Sequence, residues 1–194
     1  MATTKVGKWK TIMADPPWQR DQLGNFGAVK HYDLLTTEQI KAMPVEDLAA
    51  DESHCYIWLT NSTILDGYDI MKKWGFTPRS LIVWWKPRLG LGHYYRLCTE
   101  FLLFGTKGRA PVKFKGQPNW MFCARQDHSH KPEEQYAMIE RMSHPPYLEL
   151  FARRRQPGWA AWGNEINSDI DIPGYPVPDS PATRKLKSIK KGAV

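Results

Sequence analysis

The chain is poor in acid and in cysteine. Against 27 Lys and Arg it sets only 20 Asp and Glu, a net charge of +7 over 194 residues, with a pI near 9.3. Such a balance disfavours basic partners and suits a surface that meets a polyanion, although a merely basic soluble protein has the same composition. The three cysteines, Cys55, Cys98 and Cys123, are scattered and odd in number, which speaks against a disulfide framework and for a reducing compartment. No apolar run approaches the ~20 residues that cross a bilayer, and the N-terminus lacks the apolar core of a signal peptide. The expectation is a soluble, cytoplasmic protein with no membrane partner. Cys123, His128, His130 and His144 have a spacing that matches no familiar zinc arrangement, so no metal is expected.

Aromatics, by contrast, are plentiful: nine Trp and eight Tyr, some of them core and some available to nucleic acid. The length fits one domain with a substantial core. The stretch that organises it runs from Trp9 to Trp18. Thr11 to Ala14 reads as a buried strand that stops at Asp15, Pro16, Pro17 and Trp18. Open α/β sheets bind ligands at the carboxyl ends of their strands. There, the Asp15 carboxylate and a backbone carbonyl fixed by prolines form two rigid acceptors for the two hydrogens of an exocyclic amino group. Trp18 offers a face on which a base could stack, and the competing reading is a rigid Asp-Pro-Pro turn.

After a polar, glycine-containing loop, Tyr32 reads equally as packing or as a base contact, and Thr36 caps a short helix. His54 to Leu59, an amphipathic helix over 61–74 closed by Gly75, and Leu81 to Trp85 form a strand, helix, strand unit, which implies a parallel crossover. Lys86, Arg88, His93 and Arg96 surround a Gly-x-Gly loop that reads as simple flexibility or as a contact to a nucleic-acid backbone. Glu100 opens the strand Thr99 to Thr106; an acid among apolar neighbours is either paired with a cation or faces the site. Lys107 to Gln126 interleaves cations with Phe114, Trp120 and Phe122, a pattern for base stacking or for an anchored loop. Lys131 sits at the start of a helix, where the dipole disfavours a cation and a carboxylate ligand would resolve the conflict. Tyr147 to Ala152 is the last strand, Asn164-Glu165 either grips a ribose diol or closes a turn, and 172–194 reads as a basic, proline-containing tail after a domain at 1–171.

Taken in order, Asp15-Pro16-Pro17-Trp18, Trp84-Trp85-Lys86, Glu100 with Phe104-Gly105-Thr106-Lys107-Gly108, Ser129-His130-Lys131-Pro132, Leu148-Glu149-Leu150-Phe151-Ala152-Arg153 and Trp162-Gly163-Asn164-Glu165 resemble the adenine-N6 methyltransferase family that includes the catalytic subunit of the messenger-RNA adenosine methyltransferase. The resemblance covers roughly residues 10 to 167. It implies a single-domain α/β, Rossmann-like methyltransferase of permuted order, with the catalytic strand first and the cofactor strand late. It also implies S-adenosylmethionine as cofactor and a nucleic-acid substrate, with DNA preferred to RNA, in a monomer or homodimer. Position by position, Asp15, Pro16, Pro17 and Trp18 would be catalytic. Tyr32, Lys86, Arg88, His93 and Glu100 would meet substrate, and Met13, Ala14, Asp15, Lys131, Phe151, Arg153, Asn164 and Glu165 the cofactor. Arg155 stands in place of a family histidine and Glu165 in place of a glutamine. An RNA methyltransferase and a catalytically silent nucleic-acid-binding subunit are the alternatives.

Overall fold

A computed structural model describes residues 9–19, 34–90, 92, 94–124 and 130–175. Seven strands make one sheet: β1 (Trp9–Ala14), β2 (Ala49–Leu59), β3 (Thr77–Trp85), β4 (Thr99–Lys107), β5 (Trp120–Phe122), β6 (Tyr147–Leu150) and β7 (Trp159–Trp162), in the spatial order β5-β3-β4-β2-β1-β6-β7. All run parallel except β4, which is antiparallel to both β2 and β3. This is the expected Rossmann-like architecture. The helices are α1 (Thr37–Lys41), α2 (Val45–Leu48), α3 (Ile64–Lys73) and α4 (Glu134–Met142).

Local chemistry accounts for the element ends. Thr36 accepts from the Gln39 N–H, and the Gln39 side chain accepts from the Thr36 N–H, a capping box at the start of α1. At the end of α3, Gly75 at φ +80 donates to the Lys72 carbonyl and Phe76 donates to that of Met71, each at 3.0 Å. That is a Schellman stop, and glycine takes the left-handed position without strain.

Alternation along the strands divides the core in two. Ile12, Ala14, Ile57 and Leu59 pack with Trp74 on the α3 face; Met13, Tyr56, Trp58 and Trp84 pack with Tyr136 and Ile139 of α4 on the other. Six of the nine tryptophans (18, 58, 74, 84, 159 and 162) are buried, so most of the aromatic surplus is core.

Several elements differ from the sequence reading. The β2–α3–β3 unit is parallel but not adjacent, because β4 inserts between its strands and pairs with both. Trp120 to Phe122, read as loop, is an edge strand on β3; a three-residue run gives too little periodicity to show in sequence. Trp159 to Trp162, past the strand read as the last, is β7, buried on both faces and therefore without alternation. Packing also runs past the composition change at 171–172, since Ile172 is 4% exposed and bridges to Tyr175. Among the described residues no helix is long and apolar enough to cross a membrane.

Candidate active site

Chain topology builds a cleft at the carboxyl edge of the sheet. Strands β1 and β6 are parallel neighbours, with Met13 opposite Glu149 and Ala14 opposite Leu150, so Asp15 and Phe151 leave the sheet side by side. The Asp15 N–H donates to the Leu150 carbonyl at 3.4 Å. Residues before α4 and after β7 complete a cavity of about 240 Å³ lined by Met13, Asp15, Lys131, Phe151, Arg153 and Glu165 among others.

An alternating chain of charge crosses this edge. Lys86 Nζ lies 2.8 Å from Glu100 Oε1, Lys131 Nζ lies 3.4 Å from Glu100 Oε2 and 2.9 Å from Asp15 Oδ1, and Arg153 is 3.8 Å from Asp15 Oδ2. Lys131 also donates to Asp15 Oδ2 at 3.0 Å. Burial alone would raise the Glu100 carboxyl, but Lys131 and Lys86 overcome it and hold it below its ordinary value. Burial opposes the Lys131 charge in the same way, and Asp15 and Glu100 more than offset it, so Lys131 is raised and stays a cation. Glu100 is thus paired with two cations, one of which also binds Asp15. Lys131 precedes α4 by three residues, and the carboxylates that reconcile it with the helix start are the protein's own.

Aromatic and amide groups fix this chain from below. Lys131 Nζ stands 5.3 Å from the Trp58 ring centroid, a cation–π contact, and the Trp58 indole donates to Gln135 Oε1 at 2.7 Å. Lys86 sits likewise over Trp84.

Glu149 is the acid that the sequence reading left without a role. It is 8% exposed, faces the cleft, and accepts from the Tyr136 hydroxyl at 2.9 Å. Burial pushes its carboxyl up to about 7; the Tyr136 hydrogen bond opposes this rise, and Asp15 and Glu133 add to it. The signal was the one used for Glu100, an acid inside an apolar strand.

The structure treats the other candidates unequally. Trp18 is 6% exposed, packed in the core, with its indole donating to the Trp58 carbonyl at 3.2 Å; it anchors the Asp-Pro-Pro turn and presents no open face for a base. The Pro16 carbonyl accepts from the Trp18 N–H at 2.9 Å, and the Pro17 carbonyl from the Leu35 N–H at 2.9 Å. Pro16 thus keeps one lone pair available. Ala14 is fully buried on the α3 face, away from the cleft, whereas Met13 lines it. Phe151 adopts φ +64, sparsely populated for an aromatic residue, and packs edge-on against Trp162. Arg88 is exposed beyond β3. Tyr32 and His93 lie outside the described residues.

Near Glu165 the β6 and β7 ends touch. Ala152 donates to the Trp162 carbonyl at 3.0 Å, and a Cβ at position 163 would overlap the Ala152 carbonyl oxygen, so Gly163 permits the approach. Arg155 lines the cleft and forms a two-pronged pair with Asp169, at 2.9 and 3.0 Å. Asn164 follows Gly163 at the rim, half-buried.

Comparison with known proteins places this geometry. The MT-A70 family model matches residues 9–165, a span that holds the whole charge chain. The N(6)-adenosine-methyltransferase MT-A70-like protein of Drosophila melanogaster is 30% identical over 176 residues, covering 84% of this chain and 28% of its own length. The human N(6)-adenosine-methyltransferase catalytic subunit METTL3 is 30% identical over 174 residues, covering 84% and 29%. The type II methyltransferase M.MunI of a Mycoplasma species is 29% identical over 195 residues, covering 86% of this chain and 82% of its own length. The chain therefore spans under a third of the METTL3-type relatives and most of the type II one. With the family match running from the first residue of β1 to Glu165 at the cleft rim, the chain belongs to the MT-A70 family.

Proposed function

We propose that this protein transfers a methyl group from S-adenosylmethionine to the exocyclic N6 of adenine in nucleic acid, DNA in preference to RNA. MT-A70 methyltransferases use S-adenosylmethionine as donor. The observation that carries the reading is Asp15 at the carboxyl end of β1, held on both oxygens by half-buried Lys131 and flanked by the end of β6. The donor set of the cleft suits the cofactor: cations at Lys131 and Arg153 for its carboxylate, acids at Asp15 and Glu149 for its ammonium, and Asn164 and Glu165 for a ribose diol. When bound, the cofactor supplies an electrophilic sulfonium methyl.

The adenine amino lone pair is delocalised into the ring, which makes it a poor nucleophile. Acceptors at Asp15 and the Pro16 carbonyl hold its two hydrogens and favour a pyramidal nitrogen with the lone pair free for in-line attack. Lys131 fixes the carboxylate, and Trp18 fixes the turn that carries both acceptors. Positioning and fixed charge supply the acceleration, with no covalent enzyme intermediate. DNA is favoured because one of the relatives is a type II methyltransferase, matched over 82% of its own length. A sequence preference that is short or relaxed fits reading by the loops beside the cleft.

The test is transfer of labelled methyl from S-adenosylmethionine to single-stranded DNA, duplex DNA and RNA of one sequence, with nucleoside mass spectrometry. N6-methyladenine, most abundant in DNA, is the expected product. Donor binding without transfer to any polymer would instead favour a silent binding subunit.

A further inference from the structure

We propose that an aromatic shelf at the β3–β5 end of the sheet stacks unpaired bases flanking the target adenine, so that the substrate is read as a single strand on at least one side of that adenine. This rests on the nucleic-acid reading above. Trp85 and Phe122 are paired in register on the parallel strands β3 and β5, their rings 4.9 Å apart. Trp120 lies on the same face of β5, because Met121 between them points into the core. Trp85, Trp120 and Phe122 are 53%, 56% and 55% exposed, unlike every tryptophan of the core. Three large rings open to solvent on one sheet face demand an occupant.

Position and charge identify the occupant. Trp85 ends β3 and Phe122 ends β5, so both lie at the carboxyl edge that carries Asp15. Lys86 follows Trp85 directly, and the Lys86–Glu100–Lys131–Asp15 contacts run from the shelf to the cleft. From β1 to β3 is three strand steps, roughly 14 Å, within reach of a few nucleotides; the shelf lies on the face opposite α4, so a strand leaving the cleft would cross the edge at Lys86. The segment 85–98, which leaves β3 at this edge, holds three Lys and Arg and no Asp or Glu. Two such surfaces brought together would repel each other, which disfavours a second copy of this chain and favours a polyanion. Exposed rings beside cations are the combination that single strands use, with bases on the rings and phosphates at the cations. A fully paired duplex keeps its base faces stacked and has none to offer.

The experiment uses the full chain and fluorescence anisotropy with 15-nucleotide single-stranded DNAs holding one central adenine, with and without abasic sites at the three positions on either side. The wild type should lose about tenfold in affinity when the bases on one side are removed, the phosphates being kept. The Trp85→Ala, Phe122→Ala variant should bind the intact strand about tenfold more weakly and show no further abasic penalty. Its thermal midpoint and S-adenosylmethionine affinity, measured alongside, should match the wild type; a more conservative Phe122→Leu, read by the same abasic penalty, serves if the double variant does not fold. An undiminished abasic penalty in the variants overturns the proposal, as does an equal affinity of the wild type for intact and abasic strands. Conversion of a dimer to a monomer by the double substitution, with the penalty intact, would assign the shelf to protein contact and overturn it too. Because binding is the readout, the shelf can stand even where no methyl is transferred, and the methyl-transfer assay can succeed where the shelf fails.

Discussion

Two polar chains lie near the two ends of α4, a half-buried one reached through Lys131 before the helix and a buried one reached through Ser143 at its C-cap, and they are built oppositely. At the carboxyl edge, Lys86, Glu100, Lys131, Asp15 and Arg153 alternate in charge. At the other edge, His54 Nδ1 and the Tyr56 hydroxyl share the Ser143 hydroxyl at 2.7 and 2.8 Å, and His54 Nε2 meets the Ala110 carbonyl at 3.0 Å. The second chain is neutral and closed: both ring nitrogens of His54 are used, and Ser143 is fully buried. Taking ions out of water is expensive, whereas a satisfied neutral network costs little. The neutral chain therefore suits stability, and the costly one marks the place where charge is needed for chemistry.

That contrast can be broken from either side. The largest effect should come from Asp15→Ala: at least about 10³-fold lower turnover, with S-adenosylmethionine affinity reduced less than tenfold in a calorimetric titration. Near-normal turnover would remove Asp15 from the mechanism. Next is Lys131→Met, which leaves Asp15 with Arg153 at 3.8 Å and Glu100 with Lys86 in a partly buried cleft. It should lower unfolding free energy by about 3 kcal/mol at pH 7 in a denaturant titration, and Lys131→Arg should recover part of it.

Two smaller effects should carry opposite pH slopes. Glu149 is raised in the fold, from 4.5 to about 7, so its contribution is complete below pH 4.5 and is lost as pH rises through 7. Glu149→Gln should therefore gain about 2 kcal/mol over the wild type at pH 8, a gain that shrinks toward pH 5. His54 is lowered from 6.5, burial dominating and the Ala110 hydrogen bond opposing it. Its contribution is present above pH 6.5 and lost as pH falls through the folded value. His54→Ala should cost about 1–2 kcal/mol at pH 8 and less at pH 5, with methyl transfer by the folded protein unchanged. Parallel pH slopes for the two variants would show that the edges do not differ as described.

The sheet itself was largely legible. The apolar runs Thr11 to Ala14 and His54 to Leu59, the cap at Thr36 and the stop at Gly75 are local signals, and each became the element it predicted. The short strands β5 and β7 were not, since three or four residues buried on both faces or paired at an edge show no period. Among site residues, Asp15 stood out as the acid that ends a strand, Glu100 as an acid among apolar neighbours and Lys131 as a cation at a helix start, and ion pairs join all three. Glu149 sent the same signal and was passed over.

Sequence alone determined the family, the elements and the chemical types available at the strand ends, because propensity, capping and motif order are properties of neighbouring residues. Tertiary structure decided which of them meet. Only the parallel pairing of β1 with β6 sets Asp15 beside Phe151, across more than a hundred residues of chain. Only the packing of Trp18 under Trp58 takes its ring away from a base and makes it an anchor. Burial and long-range charge contact depend on the whole fold, and no local stretch contains them.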